Sequence, residues 1–203
     1  MIESWLPTKR PSREFMYRRV RRFLAGRHFS TALDLACGVM RMARYIDADE
    51  YIGLDINDEA LQRGVRGGSR RRAVVSTIED MPAGLTGDFV LCLETIGINK
   101  FARVDLTMVH LERMIAATRP GGSLILNVGH LSRDYFGSVE DALRRAFRSV
   151  EVIDYGRHHA KAIFPVFLFR IWRMEARPEE AASATEPTKL FIAEGRLGSG
   201  TLQ

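Results

Sequence analysis

Asp55 and Gly38 are the two residues from which a binding chemistry can first be read. Asp55 closes an apolar run over residues 51–56, and a carboxylate at the carboxyl end of a buried strand can accept both hydrogen bonds of a ribose diol. Gly38 follows an earlier apolar run ending Leu33-Asp34-Leu35-Ala36-Cys37. A glycine there allows a tight turn and lets a ligand approach the backbone, because a side chain would occupy the ligand's space. Glu94 ends a later apolar run, and Gly129-His130-Leu131-Ser132-Arg133-Asp134-Tyr135-Phe136 forms a polar and aromatic segment after another. A carboxylate or an imidazole in such places can take a proton from an acceptor. Arg133 can clamp an acidic group.

These groups need a scaffold, and the surrounding pattern supplies one. The run before Gly38 is too short for a helix and is bounded by glycine, as a buried parallel strand is. After it, Val39, Met42, Ala43 and Ile46 share a helical face, and the next apolar run reaches Asp55. Strand, glycine turn, helix, strand and acid in that order make a nucleotide-binding βαβ unit, its helix aiming free N–H groups at the turn. Ahead of it, residues 11–25 read as an amphipathic helix, with Pro11 in the first turn and Gly26 at the end. Behind it, Asn57 is an N-cap for a helix to about residue 66. Strands are expected at 73–75, 88–93, 123–128, 150–155 and 163–174, and helices at 104–118 and 139–147. The last two strands would be joined as a hairpin over 156–161. Residues 1–174 then form one domain, with 1–28 as a leading helix. Residues 175–203, rich in Ala, Glu, Pro, Ser and Thr, read as a flexible tail in which Leu190-Phe191-Ile192 could dock on the body or on a second subunit.

The motifs resemble those of the class I S-adenosylmethionine (SAM) dependent methyltransferases. Leu33-Asp34-Leu35-Ala36-Cys37-Gly38 is similar to the first motif of that family, Ser76-Thr77-Ile78-Glu79-Asp80-Met81-Pro82 to its adenine-binding loop, Gly87-Asp88-Phe89-Val90-Leu91-Cys92-Leu93 to its fourth strand, and Arg119-Pro120-Gly121-Gly122-Ser123-Leu124 to the turn into its fifth. The matches occur in order over about residues 30–130. The resemblance implies a doubly wound α/β sandwich of seven strands, order 3-2-1-4-5-7-6 with strand 7 antiparallel, and SAM as cofactor. It implies cofactor contacts from Asp34, Ala36, Cys37, Gly38, Asp55, Ile56, Glu79, Asp80, Met81 and Leu93. It also lays the leading helix over the pocket, where Arg13 and Tyr17 can reach the cofactor or the acceptor, Tyr17 being taken with Arg133 and Tyr135 as substrate-binding. Two departures stand out: Met40 replaces the family's third glycine, which would narrow the space beside the methionine part of SAM, and Gly97 and Ile98 stand where many relatives carry a Glu-His pair. His130 is the first candidate base and Glu94 the second, with His158 and His159 available from the hairpin.

The composition suits a single enzyme domain. The 203 residues are 46% hydrophobic and 27% charged, as in ordinary globular proteins. No apolar run approaches the roughly 18 residues of a membrane span, and no Cys/His cluster has metal-ligand spacing. The two cysteines, Cys37 and Cys92, sit at neighbouring strand ends as reduced thiols, which fits the cytoplasm. The net charge of +5 comes mostly from arginine. The arginine clusters at 18–22, 70–72 and 144–145 could track phosphates, but no interleaved aromatics offer bases a stack, so nucleic acid is the less favoured partner. The reading is a SAM-dependent methyltransferase acting on oxygen or nitrogen of a small polar acceptor such as a saccharide or secondary metabolite. The alternatives are an RNA methyltransferase or a SAM-binding module without catalysis. A nicotinamide dehydrogenase is disfavoured because Gly-x-Gly-x-x-Gly is absent. The sequence assigns no oligomeric state.

Overall fold

The computed structural model of the chain describes residues 11–96, 104–129, 133–154 and 188–198. Their order is α1 (Pro11–Leu24), β1 (His28–Leu35), a 3-10 turn (Arg41–Arg44), β2 (Asp47–Asp55), α2 (Asp58–Val65), β3 (Arg71–Val75), β4 (Gly87–Ile96), α3 (Val104–Ala117), β5 (Thr118–Gly129), α4 (Arg133–Ala146), β6 (Phe147–Asp154) and β7 (Thr188–Arg196). The strands form one sheet, β3-β2-β1-β4-β5-β7-β6. Neighbours run parallel except β7, which is antiparallel to both β5 and β6. Among the described residues no helix is long and apolar enough to cross a membrane.

The central strands are apolar at consecutive positions because both faces are covered, and the period of two sorts their side chains between two cores. Leu33, Leu35, Val90, Cys92, Leu124, Leu126, Phe191 and Ala193 pack with residues of α3 and α4. Ala32, Phe89, Leu91, Ile125, Leu190 and Ile192 pack on the other side with Met16 and Val20 of α1 and Leu61 of α2. Asn57 caps α2 as its type suggests, its side-chain oxygen accepting the Ala60 N–H at 3.0 Å.

Three expectations need correction. The stretch after Gly38 is not a helix but a single 3-10 turn, because Met40 takes a left-handed backbone, φ 55° and ψ 45°, that no α-helix can pass through, and β2 begins only three residues after the turn. The expected flexible tail contains β7, whose Leu190, Phe191 and Ala193 are fully buried between β5 and β6. A short apolar run inside polar composition therefore forms an inner strand of the sheet, and the span expected as tail contributes Thr188–Arg196 to the domain. The third correction is α4, which starts at Arg133 rather than near residue 139 and takes in the end of the segment read as a loop. The proposed hairpin, the strand at 163–174, and His158 and His159 lie outside the described residues.

Candidate functional site

At the carboxyl end of β1 the chain turns through Ala36, Gly38 and Met40, all left-handed, with φ of 54°, 54° and 55°. Glycine adopts this at no steric cost, whereas alanine and methionine each carry about 1 kcal/mol or more of strain. Met40 is held there by its side chain, which is 2% exposed. A Cβ on Gly64 of α2 would lie 2.7 Å from Met40 Cγ, and one on Gly53 of β2 would lie 2.5 Å from Met40 Cε. The methionine therefore points beneath the loop, into the core, and does not crowd the loop's outer side as its replacement of a glycine suggested. On that outer side a Cβ built on Gly38 meets nothing within 4 Å.

Asp55 faces this opening from the neighbouring strand. Its Oδ2 accepts the Gly38 N–H at 2.8 Å and its Oδ1 accepts the Asn57 N–H at 2.9 Å. Two backbone donors fix the carboxylate in place, and a carboxylate has about four acceptor sites, so it can still receive ribose hydroxyls. Asp34 lies deeper. It is 4% exposed and accepts the Tyr51 hydroxyl of β2. Burial raises its carboxyl to about 7, with the Asp55 charge adding to the rise and the Tyr51 bond opposing it. At this depth it supports the loop from below. Burial, then the charges of Asp34 and Asp55, pushes the Cys37 thiol well up, so it stays protonated and unreactive. Both cysteines are free.

The adenine side of the expected pocket follows β2 and β3. Ile56 is 71% exposed, an apolar surface at the strand end, whereas Met81 is packed in the core. Asp80 closes a local turn, its N–H donating to Thr77 Oγ1 at 3.1 Å while the Thr77 hydroxyl donates to Asp80 Oδ2 at 3.0 Å. Glu79 pairs with His110 of α3, Oε1 to Nε2 2.8 Å. Burial pushes the Glu79 carboxyl up, but its own backbone N–H, His110 and Thr77 together outweigh that and hold it below the ordinary value. Sequence reasoning passed over His110, which sits mid-helix with a partner far away in the chain and shows no local motif.

The sheet order reverses between β1 and β4, and open α/β sheets bind ligands in the cleft outside such strand ends. Here β4 bulges: Cys92 pairs with Leu126 and Ile96 with Val128, so four residues of β4 span two of β5. Glu94 sits in the bulge with φ 61°. Its N–H donates to Oδ1 of the fully buried Asn127 at 2.6 Å, and its Oε2 accepts the Tyr17 hydroxyl of α1 at 3.2 Å. Leu93 beside it packs, half-buried, toward α1. Tyr17 and Glu94, assigned separately from sequence, thus meet. Tyr135 is 6% exposed among core residues in α4, since the helix begins earlier than expected. His130 lies outside the described residues, as do the side chains of Arg13 and Arg133.

The arginine clusters bind the protein to itself. Arg70 Nη1 donates to the Ala48 carbonyl at 3.1 Å, Arg71 Nη1 to the Gly64 carbonyl at 2.9 Å, and Arg72 pairs with Glu50 at 2.9 Å. Arg18 and Arg21 pair with Glu14, Arg19 with Glu151, and Arg144 with Glu140.

Neither a sequence-family profile nor any curated protein sequence matches the chain. Solved structures do. The N-methyltransferase NodS from Bradyrhizobium japonicum, in complex with S-adenosyl-L-homocysteine (SAH), is 15% identical, with a TM-score of 0.66 over 96% of this chain and 93% of that one. Phosphoethanolamine N-methyltransferase 2 of Haemonchus contortus, in complex with SAM, is 16% identical, with a TM-score of 0.58 over 89% of this chain and 52% of that one. The [4+2]-cyclase SpnF is 14% identical, with a TM-score of 0.59 over 89% of this chain and 82% of that one. The fold is that of the class I SAM-dependent methyltransferases, with its strand order and antiparallel seventh strand.

Proposed function

We propose that this protein is a SAM-dependent methyltransferase acting on oxygen or nitrogen of a small polar acceptor. The observation that carries the reading is the Gly38 and Asp55 pair. An open glycine backbone and an oriented carboxylate sit side by side at the ends of β1 and β2, where a nucleoside fits, with exposed Ile56 as an apolar surface for its base. NodS and the Haemonchus enzyme, solved with SAH and SAM, support the same cofactor here. The cofactor's sulfonium supplies an electrophilic methyl group, so the protein's task is to hold the acceptor in line and exclude water. Ala36, Cys37 and Gly38 would line the cofactor's backbone side, Asp55 its ribose, and Ile56, Glu79 and Asp80 its adenine. Leu93 would complete the cofactor's lining, while Tyr17, Glu94, His130 and, at the start of α4, Arg133 would serve the acceptor, with His130 or Glu94 as base.

A small acceptor is favoured over RNA because the arginines at 70–72 are spent on carbonyls and Glu50 rather than held open for phosphates. Two reduced thiols suit a cytoplasmic protein. A second reading, SAM binding without methyl transfer, has one specific support: the cyclase SpnF shares the fold, and a fold hosts more than one chemistry. Calorimetry with SAM, SAH and NAD tests the cofactor. Binding of the first two and not the third is expected, and tight NAD binding with none by SAM would reject the proposal. Mass spectrometry of cell extracts incubated with the protein and methyl-labelled SAM then separates transfer to a small molecule, transfer to RNA, and no transfer.

A further inference from the structure

Glu94 is placed with more structure than a surface carboxylate requires. The bulge in β4 re-aims it, and the left-handed backbone that results is unfavourable for any residue but glycine. Asn127, fully buried, uses its side-chain oxygen to take the N–H that the bulge removes from the ladder, which keeps this arrangement in place. Tyr17 then reaches from α1 to the carboxylate. Three elements thus converge on one residue at the reversal point of the sheet.

Resting on the methyltransferase reading, we propose that Glu94 and Tyr17 form the acceptor subsite and that the acceptor group is a primary or secondary amine. A hydroxyl has a single O–H to place on such a site and carries no charge to pair with the carboxylate. An alkylammonium brings several N–H groups and a positive charge, which pairs with the carboxylate in a charge-assisted hydrogen bond. The Tyr17 oxygen, while donating to Glu94, keeps lone pairs of its own, so the site offers two acceptor oxygens 3.2 Å apart. A primary amine has two N–H groups to place on them, which leaves its lone pair fixed in direction. For transfer, the bound alkylammonium would first give one proton to water, and the lone pair so freed would form the N–C bond as the methyl's C–S bond breaks. Sulfur would retain the electrons of the broken bond, and the product, an N-methylammonium, would keep its charge paired with Glu94 until it leaves. Asn127 is a positioning residue that acts through the Glu94 backbone.

The test is a binding measurement on the full chain saturated with SAH, titrated with putrescine and glucosamine and with their hydroxyl counterparts, butane-1,4-diol and glucose. At least one amine is expected to bind about tenfold or more tightly than its counterpart, as a charge-assisted hydrogen bond provides. Glu94→Gln should abolish the preference and Tyr17→Phe should reduce it, each with SAH affinity retained. Equal binding of amines and hydroxyls, no binding of either, or a preference that persists in Glu94→Gln overturns the proposal while leaving the cofactor reading intact. Failure of SAH to bind the wild-type protein is instead a failure of the underlying methyltransferase reading. Asn127→Asp, close in shape, provides a variant in which loss of amine preference is compared directly with the melting temperature, separating orientation from folding.

Discussion

Met40 and Gly64 interlock: the methionine side chain, rooted in a left-handed turn, occupies the space that any side chain at position 64 would need. Gly64→Ala should therefore destabilise the protein by about 1 to 3 kcal/mol through overpacking, despite alanine's better helix propensity. Met40→Ala should cost about 2 to 5 kcal/mol for the lost core contacts. In the double variant the two costs should not add, because the new methyl fills part of the cavity. Urea denaturation of the two single variants and the double variant measures this coupling, and strict additivity would mean that the two residues do not share the space.

The Asp34 carboxyl gives stability a pH dependence. Its folded value, about 7, lies above the ordinary 3.8, so the unfolded chain releases the proton first. The unfolded state binds fewer protons between those values, and stability attributable to this group is full below pH 4 and falls until about pH 7. Asp34→Asn keeps an acceptor for the Tyr51 hydroxyl and removes the titration. The difference in unfolding free energy between variant and wild type should shift in the variant's favour by roughly 2 to 4 kcal/mol from pH 4 to pH 8. A constant difference across that range would show Asp34 ionised in the folded protein.

Asp55→Ala should weaken SAM binding by about 1 to 3 kcal/mol, the cost of unmade ribose hydrogen bonds in a half-buried site. It also releases the Gly38 and Asn57 N–H groups that the carboxylate holds. Calorimetry on a variant with unchanged circular dichroism checks it, and wild-type affinity would remove Asp55 from the cofactor site.

Reversing the charge of Arg70, Arg71 and Arg72 together should lower the melting temperature, since these side chains tie β3 to Ala48 and Glu50 of β2 and to the end of α2. Any RNA binding at low salt should be weak and should fall away at physiological ionic strength, with few phosphate contacts in the slope. Salt-resistant binding lost only in the triple variant would restore the nucleic-acid reading.

Truncation before residue 188 should unfold the chain, because β7 buries Leu190, Phe191 and Ala193 and provides the partner for both β5 and β6. Thermal melts of the truncated and full chains decide it. A cooperative melt in the short form would mean that the sheet closes without β7.

Much of this architecture was legible because it depends on local signals. Apolar runs ending at Leu35, Asp55 and Leu93, the Asn57 cap and the glycine at 38 each carry their own reason, and the family resemblance orders them. What escaped depends on partners distant in the chain. Thr188–Arg196 is too short and too polar in its surroundings to announce a strand whose stability comes from two neighbours already in place. Tyr135 reads as part of a loop only when Ser132, an N-cap residue type followed by Asp134, is passed over as a helix start. Met40 looked like an intruder beside the cofactor because a sequence shows that a glycine is gone but not which way the new side chain points. The meeting of Tyr17 with Glu94, and of Glu79 with His110, arises from the packing of α1 and α3 on the sheet.

The position of β7 also shapes how the protein is made. Chains emerge from the ribosome amino end first. The edge strand β6 therefore leaves the tunnel well before β7, which among the described strands is its one partner in the sheet. Until β7 arrives, the nascent chain carries a five-stranded sheet with β5 as an open, apolar edge, the kind of surface on which other strands can pair wrongly. Insertion of β7 between β5 and β6 is then a late, non-local closing step. A chaperone engaged with the growing chain would find its target at β5, and a slowing of translation ahead of residue 188 would prolong its exposure.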